Sequence, residues 1–309
     1  MAKQLPFNKK DARAWVWRVL RALLLIGICF MILYPLLVKI LTSLKTFEDM
    51  HDPTVFYLPK HPTLGNYRTV IRSVHYGRTL LVTIGFCSLT GLLQLASCTL
   101  VSYGFARFRF WGRGVLFALV IFTLVIPPQA LLLPLYIKFG YFNILELFKF
   151  SGTLSGISLL DTPWPFILMS STATAFKNGL YIFMLRQHFR AVPEQLEEAA
   201  YIDGCGVFKT FYRIILPGAV PMLVTVFLFA FVWQWNDYFY TQMLAPQLPT
   251  LNVALSGQLL SGLDSTSASL YDSIMQAPKF ILLIAPLVVL YLFTQRFFVE
   301  SIERSGLVG

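Results

Sequence analysis

The stretch Arg190-Ala-Val-Pro-Glu-Gln-Leu-Glu-Glu-Ala-Ala-Tyr-Ile-Asp-Gly204-Cys-Gly-Val-Phe-Lys-Thr-Phe-Tyr-Arg-Ile-Ile-Leu-Pro217 sits between two strongly apolar runs. Pro193 suits a first helical turn, and Glu194, Glu197 and Glu198 then fall near the positive end of the helix dipole. Leu196, Ala199, Ala200 and Asp203 follow at helical spacing, and Gly204 breaks or bends the helix and allows close backbone approach at the bend. Val207 to Ile215 reads as a second short helix, with Pro217 directly before the next apolar run. The spacing therefore predicts a helix–bend–helix lying parallel to a membrane. Ala199 and Ala200 are small enough for close approach by a partner, and Glu198 can meet a basic or amide-rich rim.

The runs on either side fix the fold class. Crossing about 30 Å of hydrocarbon at 1.5 Å per residue takes around 20 apolar residues. Runs of that size occur near 18–41, 79–104, 114–138, 164–188, 218–241 and 279–299. These predict an all-α integral membrane protein with about six transmembrane helices. The fourth run is interrupted by Ser170, Ser171, Thr172, Thr174, Lys177 and Asn178. Pro35, Pro127, Pro128, Pro134 and Pro286 lie within runs, where neighbouring groups in a bundle can take up the freed carbonyls.

Composition agrees. The 309 residues are 56% hydrophobic and 13% charged, about half the charge of an ordinary soluble domain. The net charge of +10 does not indicate nucleic acid, because Lys9, Lys10, Arg13, Arg18 and Arg21 cluster beside an apolar run as topology signals and headgroup contacts. With the N-terminus cytoplasmic, the inside segments hold Arg107, Arg109, Arg113, Arg190, Lys209, Arg213 and Arg304, whereas 242–277 contains no Lys or Arg. The loop 42–78 is an exception, its basic residues being offset by Glu48, Asp49 and Asp52. Both termini are thereby placed in the cytoplasm. The organisation is a basic N-terminal segment, 1–17, followed by a membrane domain, 18–309, whose cytoplasmic loop spans 189–217. The run from Leu20 to Leu41 is too long for a signal-peptide core and is read as a retained span. Cys29, Cys87, Cys98 and Cys205 suggest no disulfide framework.

At this point the loop resembles a known family, the inner-membrane permease subunits of binding-protein-dependent ABC importers. Their cytoplasmic motif is Glu-Ala-Ala, three residues, Gly, nine residues, Ile, one residue, Leu-Pro. Here it reads Glu198-Ala199-Ala200, Gly204, Ile214, Leu216-Pro217 with every spacing kept. Seven fixed positions match by accident about once in 10⁸ starts at roughly 5–10% per residue type. Leu185-Arg186-Gln187, Trp235-Asn236-Asp237, Asn66-Tyr67, Ile126-Pro127 and Pro134-Leu135-Tyr136 resemble the carbohydrate-uptake branch, related to the maltose permease subunits.

The resemblance implies a type I ABC importer permease fold in the bacterial cytoplasmic membrane, translocating a carbohydrate, in particular an oligosaccharide. It implies a second permease subunit (a different one, making a heterodimer), two ATP-binding subunits and an extracytoplasmic solute-binding protein. Glu198, Ala199, Ala200, Gly204, Ile214, Leu216 and Pro217 would form the coupling helix that docks on an ATP-binding subunit. The tail Gly306-Leu307-Val308-Gly309 departs from the Gly- and Lys-containing end common in such permeases, which leaves tail contacts with the ATPase open.

No Gly-x-x-x-x-Gly-Lys-Ser/Thr phosphate loop occurs, so ATP and magnesium are assigned to the partner and no enzyme activity to this chain. His51, His61 and His75 lack ligand spacing and His188 stands alone, so no metal site is expected. A sugar needs flat apolar faces and planar polar groups, and Trp233, Gln234, Trp235, Asn236 and Asp237 supply both at the outer end of the fifth run. An interfacial aromatic belt would use the same residues. Lys177 and Asn178, near the middle of the fourth run, are pathway candidates because a charge there faces a cavity or a partner; a broken helix with the pair solvated or buried against protein is the alternative. The same architecture carrying a non-sugar solute remains open. An ion-coupled secondary transporter would show inverted repeats and more intramembrane carboxylates.

Overall fold

A computed structural model describes residues 9–143, 156–257 and 265–306, with side chains placed over most of them. The extreme N-terminal residues of the basic segment and the end of the Gly306–Gly309 tail lie outside the described residues, as do 258–264 of the last outer loop. The described residues are helical and contain no strand, only an isolated bridge between Phe142 and Ile157.

The chain divides into two compact units, one formed by 1–73 with 258–285 and the other by 74–257 with 286–309. In the first, α1 (Lys9–Ser43) is an uninterrupted helix despite Pro35. Leu23, Ile26, Met31 and Ile32 on it are all exposed, as a lipid-facing surface requires. The loop after it is folded around buried polar groups. Asn66 donates to the carbonyls of Ser43 and Lys45 at 3.0 and 2.8 Å, and Lys45 Nζ donates to those of Val55 and Phe56. At the loop's surface, hydrogen bonds from Lys60 and Thr54 hold the Asp52 carboxyl well below the usual carboxylate range.

The second unit is organised around α2 (Tyr76–Arg107). Thr83, Thr90, Thr99 and Ser102 return their hydroxyls to carbonyls about one turn back, so the buried face of α2 is small and internally satisfied. Small faces let membrane helices approach closely. Gly91 meets Phe227, Ser97 donates to Ser170 O at 2.6 Å, and Ser102 donates to Ile182 O at 3.1 Å. Large apolar residues such as Leu81, Leu92 and Leu100 point outward.

Three of the six apolar runs are not single helices, the fifth being divided between the helices on either side of Gly218–Val220 and Asp237–Tyr238. The third is divided into α3 (Arg113–Phe122), a 3₁₀ turn (Pro128–Leu131) and α4 (Leu132–Gly140). Pro127 and Pro128 explain the break, since neither has an amide proton to continue the ladder. The fourth is α5 (Trp164–Ser171) and α6 (Asn178–Ala191), the broken-helix alternative. Between them the Thr172 hydroxyl takes the Leu168 carbonyl at 2.7 Å, and Ala173 adopts a left-handed φ of 57°. Hydroxyls competing for backbone carbonyls are the physical reason that run fails as a rod.

The loop 189–217 forms α7 (Gln195–Ile202) and α8 (Val207–Gly218), with a π turn at Phe211–Ile215. A 78° bend then leads into α9 (Val220–Asn236). Next come α10 (Phe239–Leu244), α11 (Leu251–Ser256) and α12 (Ser265–Gly306). Among the described residues, three stretches are long and apolar enough to cross a membrane alone, Trp15–Ser43, Tyr76–Arg107 and Asp272–Gln295, and the bent α8–α9 pair passes together. A core of Cys98, Tyr103, Tyr181, Leu185, Phe189 and Val226 joins α2, α6 and α9.

Candidate functional site

Two regions of the second unit carry the residues singled out by sequence. The first is the elbow made by α7 and α8. Helix α7 ends where Gly204 takes φ +77°, with Gly204 N donating to Tyr201 O at 3.0 Å and Cys205 N donating to Ala200 O at 2.9 Å. This pair of bonds is a Schellman cap, which satisfies the carbonyls that the helix end leaves free. The bend expected at Gly204 is therefore present.

Around that bend the motif residues face two ways. Glu198, Ala199, Gly204 and Pro217 are exposed, Ile214 and Leu216 are half-buried, and Ala200 is buried inside the chain. Of the two alanines, then, only Ala199 is open to a partner. Ile202 and Phe208 stand out on the same elbow, each 86% exposed.

Sequence reasoning missed what holds the elbow. Arg107, the last residue of α2, places Nε 2.8 Å from Glu197 Oε1, and its Nη2 donates to Val192 O at 2.7 Å. Its Nη1 also lies 3.7 Å from Glu194. Both Arg107 and Glu197 side chains are more than nine-tenths covered. A buried guanidinium with a carboxylate and a carbonyl is a fixed joint, since breaking it strands a charge. Tyr103 one turn earlier packs its ring against Phe108, Phe189 and Phe211, tying the start of α8 to the same end of α2.

The second region is a cavity of about 700 Å³ between α2, α5, α6, α9 and α10. Lys177, Trp233, Gln234, Asn236 and Asp237 line it, so five of the seven pathway candidates meet. Lys177 Nζ lies 3.9 Å from the centre of the Trp233 ring. The two other candidates are behind the wall. Trp235 is buried against Phe231, and its carbonyl accepts from Asn252. Asn178 is buried at the start of α6.

Asp237 has a structural duty at this wall. Its oxygens accept from Tyr240 N, Thr241 N and Thr241 Oγ1 at 3.0–3.2 Å, which caps α10. Gln94, Gln129, Phe176, Tyr181 and Tyr240 also line the cavity and were not foreseen. Phe176 and Tyr240 stack with ring centres 3.7 Å apart, and Gln94 reaches Ser170 Oγ at 3.4 Å. The hydroxyls of Tyr181 and Tyr240 and the Gln234 Nε2 are shielded from solvent and make no hydrogen bond. Buried polar atoms are costly when left without a partner. Among the described residues no group of three His, Cys, Asp or Glu could hold a metal ion.

Comparison with known proteins finds a family, relatives and solved structures that match. The family described as binding-protein-dependent transport system inner membrane component matches residues 99–304. An osmoprotective compounds uptake permease of Synechocystis is 30% identical, covering 96% of this chain and 94% of that one. A permease of an alpha-glucoside transport system from Rhizobium meliloti is 27% identical over 87% of this chain and 67% of its own length. Among solved structures, a bacterial ABC transporter involved in import of the acidic polysaccharide alginate shares the fold, with a TM-score of 0.73, 21% identity, and coverage of 95% of this chain and all of that one.

Proposed function

The chain belongs to the binding-protein-dependent transport system inner membrane components, the permeases of ABC importers, and from that membership we propose that it passes a carbohydrate, an oligosaccharide in particular, through the cavity beneath Trp233. The observation that carries the cargo class is the cavity wall. Aromatic faces of Trp233, Phe176 and Tyr240 stand beside unpaired Tyr181, Tyr240 and Gln234 polar atoms. Sugar rings offer apolar faces for the first and hydroxyls for the second. A volume of about 700 Å³ falls in the usual range for small-molecule sites. The Rhizobium relative, named for alpha-glucoside transport, supports the same class.

Energy would enter at the elbow. Two separate ATP-binding subunits, holding ATP and magnesium, would dock against Glu198, Ala199 and Gly204 with Ile202 and Phe208 as apolar anchors. A second, different permease subunit would complete the pathway, and an extracytoplasmic binding protein would deliver cargo. Termini would lie in the cytoplasm, following the positive charges.

Two rods run from elbow to cavity. Helix α9 continues from α8 through the 78° bend and carries Trp233 and Gln234 at its far end, about 20 Å away at 1.5 Å per residue. Helix α2 runs from Arg107, clamped to Glu197, to Gln94 on the cavity wall, a further span of about 20 Å. Displacing the elbow would rotate both rods about the bend at Gly218–Val220, changing the cavity between inward- and outward-open forms.

The test is reconstitution of the chain with its second permease, ATP-binding subunits and binding protein. Saccharide-loaded binding protein should stimulate ATP hydrolysis, and Gly204→Asp should abolish that stimulation while the chain still inserts. Normal stimulation and uptake in the variant would remove the coupling role. Stimulation by no saccharide in a broad panel would remove the cargo class.

A further inference from the structure

Lys177 is a cation placed on a cavity wall within the membrane domain, where an uncompensated charge is expensive and is met by a cavity, a partner or an ion of opposite sign. Its ammonium lies over the Trp233 ring at 3.9 Å, and it makes no ion pair with any described carboxylate. The carboxylate in the same wall, Asp237, is engaged otherwise. All three of its contacts, from Tyr240 N, Thr241 N and Thr241 Oγ1, hold the first turn of α10.

Several polar groups of residues lining the same cavity can donate. Gln234 Nε2 can only donate, and the hydroxyls of Tyr181 and Tyr240 can each donate one proton. Lys177 adds up to three more N–H groups. Helix α6 also begins at Asn178, so its positive end is at the same wall. Such a wall matches a ligand group that is rich in acceptors and negatively charged. A neutral sugar hydroxyl would satisfy some of these donors but would bring no carboxylate into ion-pair contact with the ammonium.

We propose that Lys177 receives the carboxylate of an acidic saccharide, so that the cargo carries uronic-acid groups. The proposal rests on the carbohydrate reading above and adds the charge. Trp233 beneath the ammonium serves two purposes: its ring face attracts the cation, and it holds Nζ at the cavity surface, where a carboxylate can reach it. Arg in place of Lys would keep the charge and the donors. Gln would keep hydrogen bonding and lose the charge.

The experiment uses the whole reconstituted importer in liposomes, with digalacturonate and its neutral counterpart digalactose as probes. Saccharide-stimulated ATP hydrolysis and uptake are read for the wild type, Lys177→Gln and Lys177→Arg. The expected result is stimulation by digalacturonate in preference to digalactose. Lys177→Gln should raise the half-saturating digalacturonate concentration by about tenfold or more, with Lys177→Arg near wild type and a clearly smaller change in the digalactose response. Equal responses to the two saccharides in the wild type would overturn the proposal, as would an equal effect of Lys177→Gln on both. Loss of pairing between the two permease subunits in Lys177→Gln would also overturn it, because the counter-charge would then belong to the neighbouring subunit. If only a non-sugar solute stimulates, the carbohydrate reading fails separately. The charge assignment is then decided by comparing Lys177→Gln on anionic and neutral solutes of that kind.

Discussion

The elbow and the cavity solve opposite problems with the same helices. At the elbow the charged groups that could be left alone are paired within the chain, Arg107 with Glu197, while apolar Ile202 and Phe208 are left uncovered. At the cavity the apolar groups are packed, Trp235 on Phe231 and Phe176 on Tyr240, while Lys177 meets the Trp233 ring, and Gln234 Nε2 and two tyrosine hydroxyls make no hydrogen bond. Each surface leaves open what its visitor must supply. A protein partner brings apolar area and bulk, whereas a small polar cargo brings hydrogen bonds and charge. The contrast also assigns different tolerances: the elbow has to be stiff to transmit displacement, and the cavity has to admit and release.

The largest effect is expected where stiffness depends on one joint. Arg107→Gln leaves Glu197 buried without its cation, a loss of about 3–5 kcal/mol for that contact. Hydrogen exchange across 195–202 should then rise by about a hundredfold or more, with stimulation of ATP hydrolysis falling alongside. Glu197→Gln should behave similarly, and the double variant should lose clearly less than the sum of the two. Additive effects would mean that the elbow is held by something other than the pair.

A smaller effect is expected beside the cavity. A Cβ at Gly179 would sit 2.9 Å from Val120 O and collide with Thr123 Oγ1, so Gly179→Ala should push α6 from α3 at a cost of about 1–3 kcal/mol. Thermal unfolding in detergent should register this as a lower midpoint with cargo affinity also reduced. An unchanged midpoint would show that the wall behind Lys177 yields more readily than its packing implies.

These two regions were legible in the sequence to different degrees, for a physical reason. The elbow is written contiguously, so Gly204 and the helices on either side of it follow from local preferences alone. Arg107 lies 90 residues before Glu197 in the chain, and no local preference links them. The cavity is gathered from five helices. Trp233 and Gln234 were visible as polar and aromatic groups at the end of an apolar run, but neighbouring residues on a helix point about 100° apart, which turns Trp235 into the core. Gln94 lies within a long apolar span, and nothing in its local sequence marks it for the cavity. The broken third and fourth runs carried their cause openly in Pro127-Pro128 and the Ser/Thr cluster. Length and hydropathy alone do not weigh a missing amide proton or a competing hydroxyl.

The central claim is that the exposed tip of the elbow is the surface through which nucleotide-driven motion enters the chain. A photo-reactive residue at Phe208, with a second at Ile202 and a control at the exposed Trp111, measures this directly in the assembled complex. Both tip probes should cross-link to an ATP-binding subunit with a yield that changes between nucleotide-free and ATP-bound states. Cross-links from the tip to lipid or to the other permease alone, in every nucleotide state, would contradict it.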